Sequence, residues 1–137
     1  MDAPRETVSN GLAIVSIPVK DQDKSKRFYN EVLGFPVARE ADFRPDARWI
    51  ELSVPGTKTN IALVTWFEKM PPGGVCGIVL VTDNIERAFQ TLQARGLETS
   101  GVQSAPWGNY LTFSDPDGNG WVMNEGFKAA HSERGVA

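Results

Sequence analysis

Scarcity bounds this chain first. Its 137 residues include one cysteine, Cys76, and one histidine, His131. A single cysteine excludes an internal disulfide framework and fits a reducing compartment, so a cytoplasmic location is expected. The lone histidine falls in a small, polar stretch near the end that reads as a solvated tail. No nucleophile–base pair can be assembled around it, and neither a Ser-x-x-Lys motif nor a nucleophile elbow occurs. Basic residues are scattered, Lys20, Lys24, Lys26 and Arg27 being the densest group, and the formal net charge is −3. That balance argues against nucleic acid and against an anionic membrane surface as partners. Residues 1–10 are polar and read as neither a signal peptide nor a membrane span. Gly108 and the Gly73-Gly74 pair lack the context of a phosphate loop. What remains is ordinary globular material, 41% hydrophobic and 23% charged. The length suits one domain able to bury roughly two-thirds of its unfolded surface.

The pattern along the chain supplies the architecture. Residues 12–19 form an apolar, β-branched run of strand length, with Pro18 marking an edge or an end. Asp21 or Asp23 can cap a helix whose apolar residues Phe28, Tyr29, Val32 and Leu33 share one side, and Gly34 stops it. Residues 35–41, 48–54 and 59–66 read as three strands, separated by Arg44-Pro45-Asp46 and Pro55-Gly56-Thr57. Residues 68–74, rich in proline and glycine, read as a linker.

Then the pattern starts again. Residues 75–82 are an apolar strand, and Asp83-Asn84-Ile85-Glu86 opens a helix with a buried stripe of Ile85, Ala88, Phe89 and Leu92. Gly96 ends it. Three further strands follow over residues 97–103, 107–113 and 120–125. Val19, Asp21 and Gly34 each recur at the same separation as Val81, Asp83 and Gly96. Two copies of a β-α-β-β-β unit in one short chain imply a pseudo-symmetric α+β fold. The expected limits are a tail at 1–10, modules at 11–67 and 75–127 around the linker, and a tail at 128–137.

Between the last two strands lies Phe113-Ser114-Asp115-Pro116-Asp117-Gly118-Asn119, a tight turn in which Pro116 presets φ and Gly118 supplies a positive-φ position. This hairpin, with Val19-Lys20-Asp21 and Phe28-Tyr29-Asn30-Glu31-Val32-Leu33-Gly34-Phe35, resembles the vicinal oxygen chelate superfamily. That family contains glyoxalase I, extradiol dioxygenases, fosfomycin-resistance proteins and bleomycin-binding proteins. The resemblance runs from about residue 12 to 126. It implies two βαβββ modules in tandem forming a curled mixed sheet around a cleft, within or across a homodimer.

Family enzymes hold a divalent metal with one ligand from the first and last strand of each module. Carried over by the motifs, those positions fall near Ile14, Ala62, Gly77 and Val122. None can donate a side chain to a hard cation, and a one-residue shift that brings in Cys76 adds only a single thiolate. No metal and no cofactor are expected.

If Ile14, Ala62 and Val122 face inward, alternation turns Ser16, Asn60, Val64 and Asn124 the same way, with Val79 joining from the register of Gly77. Such an apolar floor with a few hydrogen-bonding groups suits a small-molecule pocket. Of the four tryptophans, Trp66 and Trp107 are assigned to its rim, Trp49 fits rim or core and stays with the ligand-binding set, and Trp121 belongs to the core. Lys20 and its basic neighbours read as a solvated face, and Asp21 and Asp83 as helix caps.

Two functions fit. One is a metal-free binding protein, resembling the bleomycin-binding branch, that holds an aromatic or amphipathic small molecule for resistance or sequestration. The alternative is a glyoxalase-like lyase or isomerase, or a dioxygenase-like enzyme, independent of metal or with relocated ligands. In that case Glu51 is the candidate general base, since a carboxylate beside an apolar pocket can have its pKa raised.

Overall fold

The computed structural model describes residues 5–126, apart from the side chain of Phe43. The first unit runs β1 (Ile14–Pro18), α1 (Gln22–Arg27), a π-helical turn (Phe28–Val32), β2 (Val37–Arg44), β3 (Ala47–Ser53) and β4 (Asn60–Val64). The second runs β5 (Cys76–Val81), α2 (Ile85–Ala94), β6 (Gln103–Ala105), β7 (Gly108–Ser114) and β8 (Gly120–Asn124). Each unit makes its own four-stranded mixed sheet, ordered β1-β4-β3-β2 and β5-β8-β7-β6, with the first pair of each parallel. The tandem βαβββ architecture expected from the sequence is present, and the two sheets are not joined into one. No helix among the described residues is long and apolar enough to cross a membrane.

Local chemistry explains most of the boundaries. Asp21 caps α1 by accepting from the Lys24 amide at 3.1 Å. The helix then widens to π geometry, the Leu33 amide donating to the Phe28 carbonyl, and Gly34 takes φ +78° to end it. β4 lies inside its sheet and buries residues 61–64 on both faces, so it reads as an unbroken apolar run.

Several sequence expectations need correction. The cap of α2 is Asn84, whose side chain accepts from the Arg87 amide at 3.0 Å, and not Asp83. The strand expected over 97–103 is reduced to three residues, Gln103–Ala105. Upstream of it, Thr99 Oγ1 accepts from the Gly101 amide, Ser100 Oγ accepts from the Thr112 amide, and Gly101 sits at φ +77°. Side-chain bonds of this kind replace the ladder. In β5, Gly77 is the extra residue of a bulge at φ +89°, between the pairs Cys76–Gly120 and Ile78–Trp121. Residues 5–13 are exposed and carry no helix or strand, while residues 1–4, His131 and the rest of 128–137 lie outside the described residues.

One core serves both units. Ile17, Ile50, Leu52, Ile61 and Leu63 of the first sheet cluster with Leu111, Phe113 and Trp121 of the second, around Tyr29, Phe35, Ile85 and Leu92. The seam is also polar. The Tyr29 hydroxyl donates to Asp115 Oδ2 at 2.6 Å and accepts from Trp121 Nε1 at 3.0 Å. Asn119 Nδ2 donates to Asp115 Oδ2 and to the Pro18 carbonyl, and Asn119 Oδ1 accepts from the Val75 amide. Asp117 accepts from the Lys20 amide at 3.0 Å and from Ser25 Oγ at 3.2 Å. The turn between β7 and β8 is thus bolted to the end of β1 and to α1. A Cβ on Gly73 would strike the Asp117 carbonyl, which ties the 68–74 connection to the same turn.

Candidate functional site

Pairing registers assign each side chain to a face. In the first sheet, Ile14 pairs with Asn60 and Ser16 with Ala62, Pro18 with Val64, and Glu51 with Ala62. Arg39 pairs with Glu51, and Ala41 with Trp49. Paired residues project to the same side, so Ile14, Ser16, Asn60, Ala62, Val64, Trp49 and Glu51 share a face, with Arg39. Ile17, Ile50, Leu52, Ile61 and Leu63 occupy the opposite face and belong to the core. All six first-sheet strand residues assigned to a ligand from sequence lie together.

Glu51 is the centre of this face. It is 6% exposed and accepts from Trp49 Nε1 at 2.9 Å through one oxygen and from Asn60 Nδ2 at 2.6 Å through the other. Those donors, Asn60 first and Trp49 next, hold its carboxyl below the ordinary 4.5, against the upward push of burial. The shift expected for a general base was upward, so this is a reversal. Both oxygens are also occupied by donors, which suits a positioning role better than proton abstraction.

Glu51 fixes Trp49, and Trp49 stacks on Trp66 with centroids 6.2 Å apart and planes 29° from parallel. Trp66 lies two residues past the end of β4. The Arg44 guanidinium lies 5.8 Å from the centre of the Trp66 ring. Both indoles are half-buried. Trp49, which sequence placed in either rim or core, therefore stands on the candidate face.

In the second sheet, Val79 pairs with Val122 and Val81 with Asn124, while Asn124 and Val122 pair with Tyr110 and Thr112 across β7. This face is open along β5, where Val79 is 55% and Val81 71% exposed, and the bulged Gly77 is exposed too. Trp107 sits in the β6–β7 turn, 45% exposed, and stacks on Tyr110 at 5.1 Å.

The structure does not bring the two sets together over one floor. Each is turned away from the shared core, and the sheets remain separate. The apolar groove that does run between the sheets, about 180 Å³, is lined by core-face residues Val15, Ile61, Ile78, Leu80 and Trp121, together with Val79 and Val81. Ile14 and Ala62 lie on the first sheet, and Gly77 and Val122 on the second. No group of three or more His, Cys, Asp or Glu side chains lies close enough to hold a metal ion among the described residues. Glu125, at the second sheet's end, is occupied as an acceptor for the Ile85 amide at the start of α2.

Sequence reasoning missed Arg39 and Tyr110. The signal for Arg39 was its place in a strand before Trp49 and Glu51. The register that puts it beside Glu51 passes through irregularities between Val37 and Arg39 and between Asp42 and Arg44, which no periodicity reveals.

Comparison with known proteins agrees with the fold. The Bacillus subtilis protein YetH is 30% identical over 118 residues, spanning 83% of this chain and 97% of its own length. TnmS3, an antibiotic binding protein from Streptomyces sp. CB03234, superposes with a TM-score of 0.81 at 37% identity, covering 87% of this chain and 98% of its own. A glyoxalase/bleomycin resistance protein from the same organism gives a TM-score of 0.75 at 39% identity, covering 83% and 99%. The model of the Glyoxalase/Bleomycin resistance protein/Dioxygenase superfamily matches residues 11–123, and the chain belongs to that superfamily.

Proposed function

We propose that this chain is a metal-free binding protein that holds an aromatic or amphipathic small molecule against the Glu51 face, for resistance or sequestration. The observation that carries the reading is the Trp49–Trp66 stack, anchored by a buried carboxylate whose oxygens are both occupied. A fixed indole pair offers planar ligands a preorganised surface at little entropic cost. The similarity to TnmS3, described as antibiotic binding, favours the same class of ligand.

A second copy of the chain is proposed to complete the site. The first sheet presents a tryptophan-lined face, while the second presents exposed valines on its edge strand β5, and each is proposed as half of a pocket. A homodimer that sets one against the other covers Val79 and Val81 and encloses the ligand. Ser16, Asn60 and Asn124 are the proposed polar contacts, and Trp107 the proposed outer rim.

Titration with a panel of planar natural products tests this. Tryptophan fluorescence should quench, the melting temperature should rise, and Trp66→Ala should remove most of the response. A panel that produces neither effect contradicts the reading. Added Mn²⁺, Ni²⁺ or Zn²⁺ should leave the melting temperature unchanged, and a tightly bound stoichiometric metal would overturn the metal-free part.

A further inference from the structure

We infer that the ligand of the Glu51 face is an aromatic anion and that Arg39 selects its charge, an inference that rests on the binding function proposed above. Of the acidic residues on β2, Glu40 accepts from Lys26 at 2.6 Å and from Arg48 at 2.8 Å, and Asp42 is in register with Arg48. Both therefore belong to the helix side of the sheet. Arg48 itself is held there by Glu40 and Asp23. On the opposite side β2 sends out Arg39 and Ala41, towards Glu51 and Trp49.

Arg39 is bound differently from Arg48. Its side chain is 69% exposed, its nearest carboxylate oxygen is Glu51 Oε1 at 4.0 Å, and it donates no hydrogen bond among the described residues. Glu51 Oε1 already accepts from Trp49 Nε1, and at 4.0 Å it stands beyond hydrogen-bond distance of Arg39. A guanidinium with uncommitted N–H groups thus stands beside a fixed indole pair. Its planar fork matches a carboxylate, a sulfonate or a phenolate oxygen better than an ammonium would. Arg44, over Trp66, adds a second positive charge at the same margin. Glu51 is buried and turned into its own donors, so an approaching ligand meets the charges of Arg39 and Arg44 before it meets a carboxylate.

A matched set of probes reads this directly: 2-naphthoate, its neutral amide 2-naphthamide, and the cation 2-naphthylmethylammonium, titrated by calorimetry. The naphthoate should bind about fivefold more tightly than the amide, as one exposed charge-assisted pair supports, and the cation most weakly. In Arg39→Gln the preference should shrink to about twofold, naphthoate affinity falling by more than amide affinity, and Arg39→Lys should recover part of it. Equal affinity for naphthoate and amide in the parent protein, or a preference that survives Arg39→Gln, overturns the inference while leaving amide binding as evidence for the pocket. If none of the three binds, the inference fails as well, and the binding function then stands or falls on the natural-product panel.

Discussion

Two buried carboxylates among the described residues, Asp115 and Glu51, sit in unlike circumstances. Asp115 is 5% exposed and Glu51 is 6% exposed. Asp115 accepts from the Asp117 and Asn119 amides at 2.9 Å, from Asn119 Nδ2 and from the Tyr29 hydroxyl, so its partners are its own turn and the other unit's helix. Glu51 accepts from two side chains of its own sheet and keeps a loosely placed arginine nearby. One charge is spent on holding the two units together, and the other on orienting an indole on an open face. A buried carboxylate is therefore no sign of catalysis by itself. Its partners decide its role.

The largest effect should come from the seam. Asp115→Ala leaves the Tyr29 hydroxyl, two amides and Asn119 Nδ2 short of an acceptor, and should destabilise the fold by about 3 kcal/mol or more, read as the urea midpoint at unchanged slope. Tyr29→Phe is milder. It takes the acceptor from the buried Trp121 Nε1 and a donor from Asp115, for a loss of roughly 1–3 kcal/mol. Burial and the neighbouring Asp115 push the Tyr29 phenol well above its ordinary range, so this hydroxyl stays protonated and its contribution should not vary across neutral pH. A seam that tolerates both changes would erase the contrast with Glu51.

Glu51→Gln should cost less, about 1–2 kcal/mol at pH 7, because the amide keeps the shape but loses charge-assisted acceptance and turns its NH2 towards one of the two donors, Trp49 Nε1 or Asn60 Nδ2. Its pH dependence has a definite sign. The folded carboxyl titrates below its ordinary 4.5, so its stabilisation is complete above that value and is lost as pH falls through the folded pKa. Stability curves of parent and Glu51→Gln should accordingly diverge above pH 4.5 and draw together in stronger acid. The smallest effect on folding belongs to Val81→Asp on the open strand. It should shift the sedimentation of the proposed dimer to that of a monomer and lower the melting temperature only by the stabilisation that association supplies.

How much of this was legible in the sequence follows the range of the interactions. Alternation along β1 and β4 gives the faces of Ile14, Ser16, Asn60, Ala62 and Val64 because side-chain direction in a strand is a local property. The Phe28-Tyr29 segment and the Asp115–Asn119 turn could be read as markers of one family. Their direct contact, Tyr29 to Asp115, joins positions far apart in the chain and appears only in three dimensions. The same limit hides Arg39 beside Glu51. It also hides the loss of the strand before Gln103, where serine and threonine side chains outcompete the ladder. Expecting a raised pKa for Glu51 considered burial alone, and two donors outweigh it.

The central claim is that ligand meets the Glu51 face and not the seam, and the tryptophans report on both. Trp49 Nε1 donates to Glu51, whereas Trp121 Nε1 donates to Tyr29 inside the core. In a proton–nitrogen correlation spectrum, a natural product that quenches the protein's fluorescence should shift the indole N–H signals of Trp49 and Trp66 and leave that of Trp121 in place. Movement of Trp121 with Trp49 and Trp66 unchanged would contradict the account.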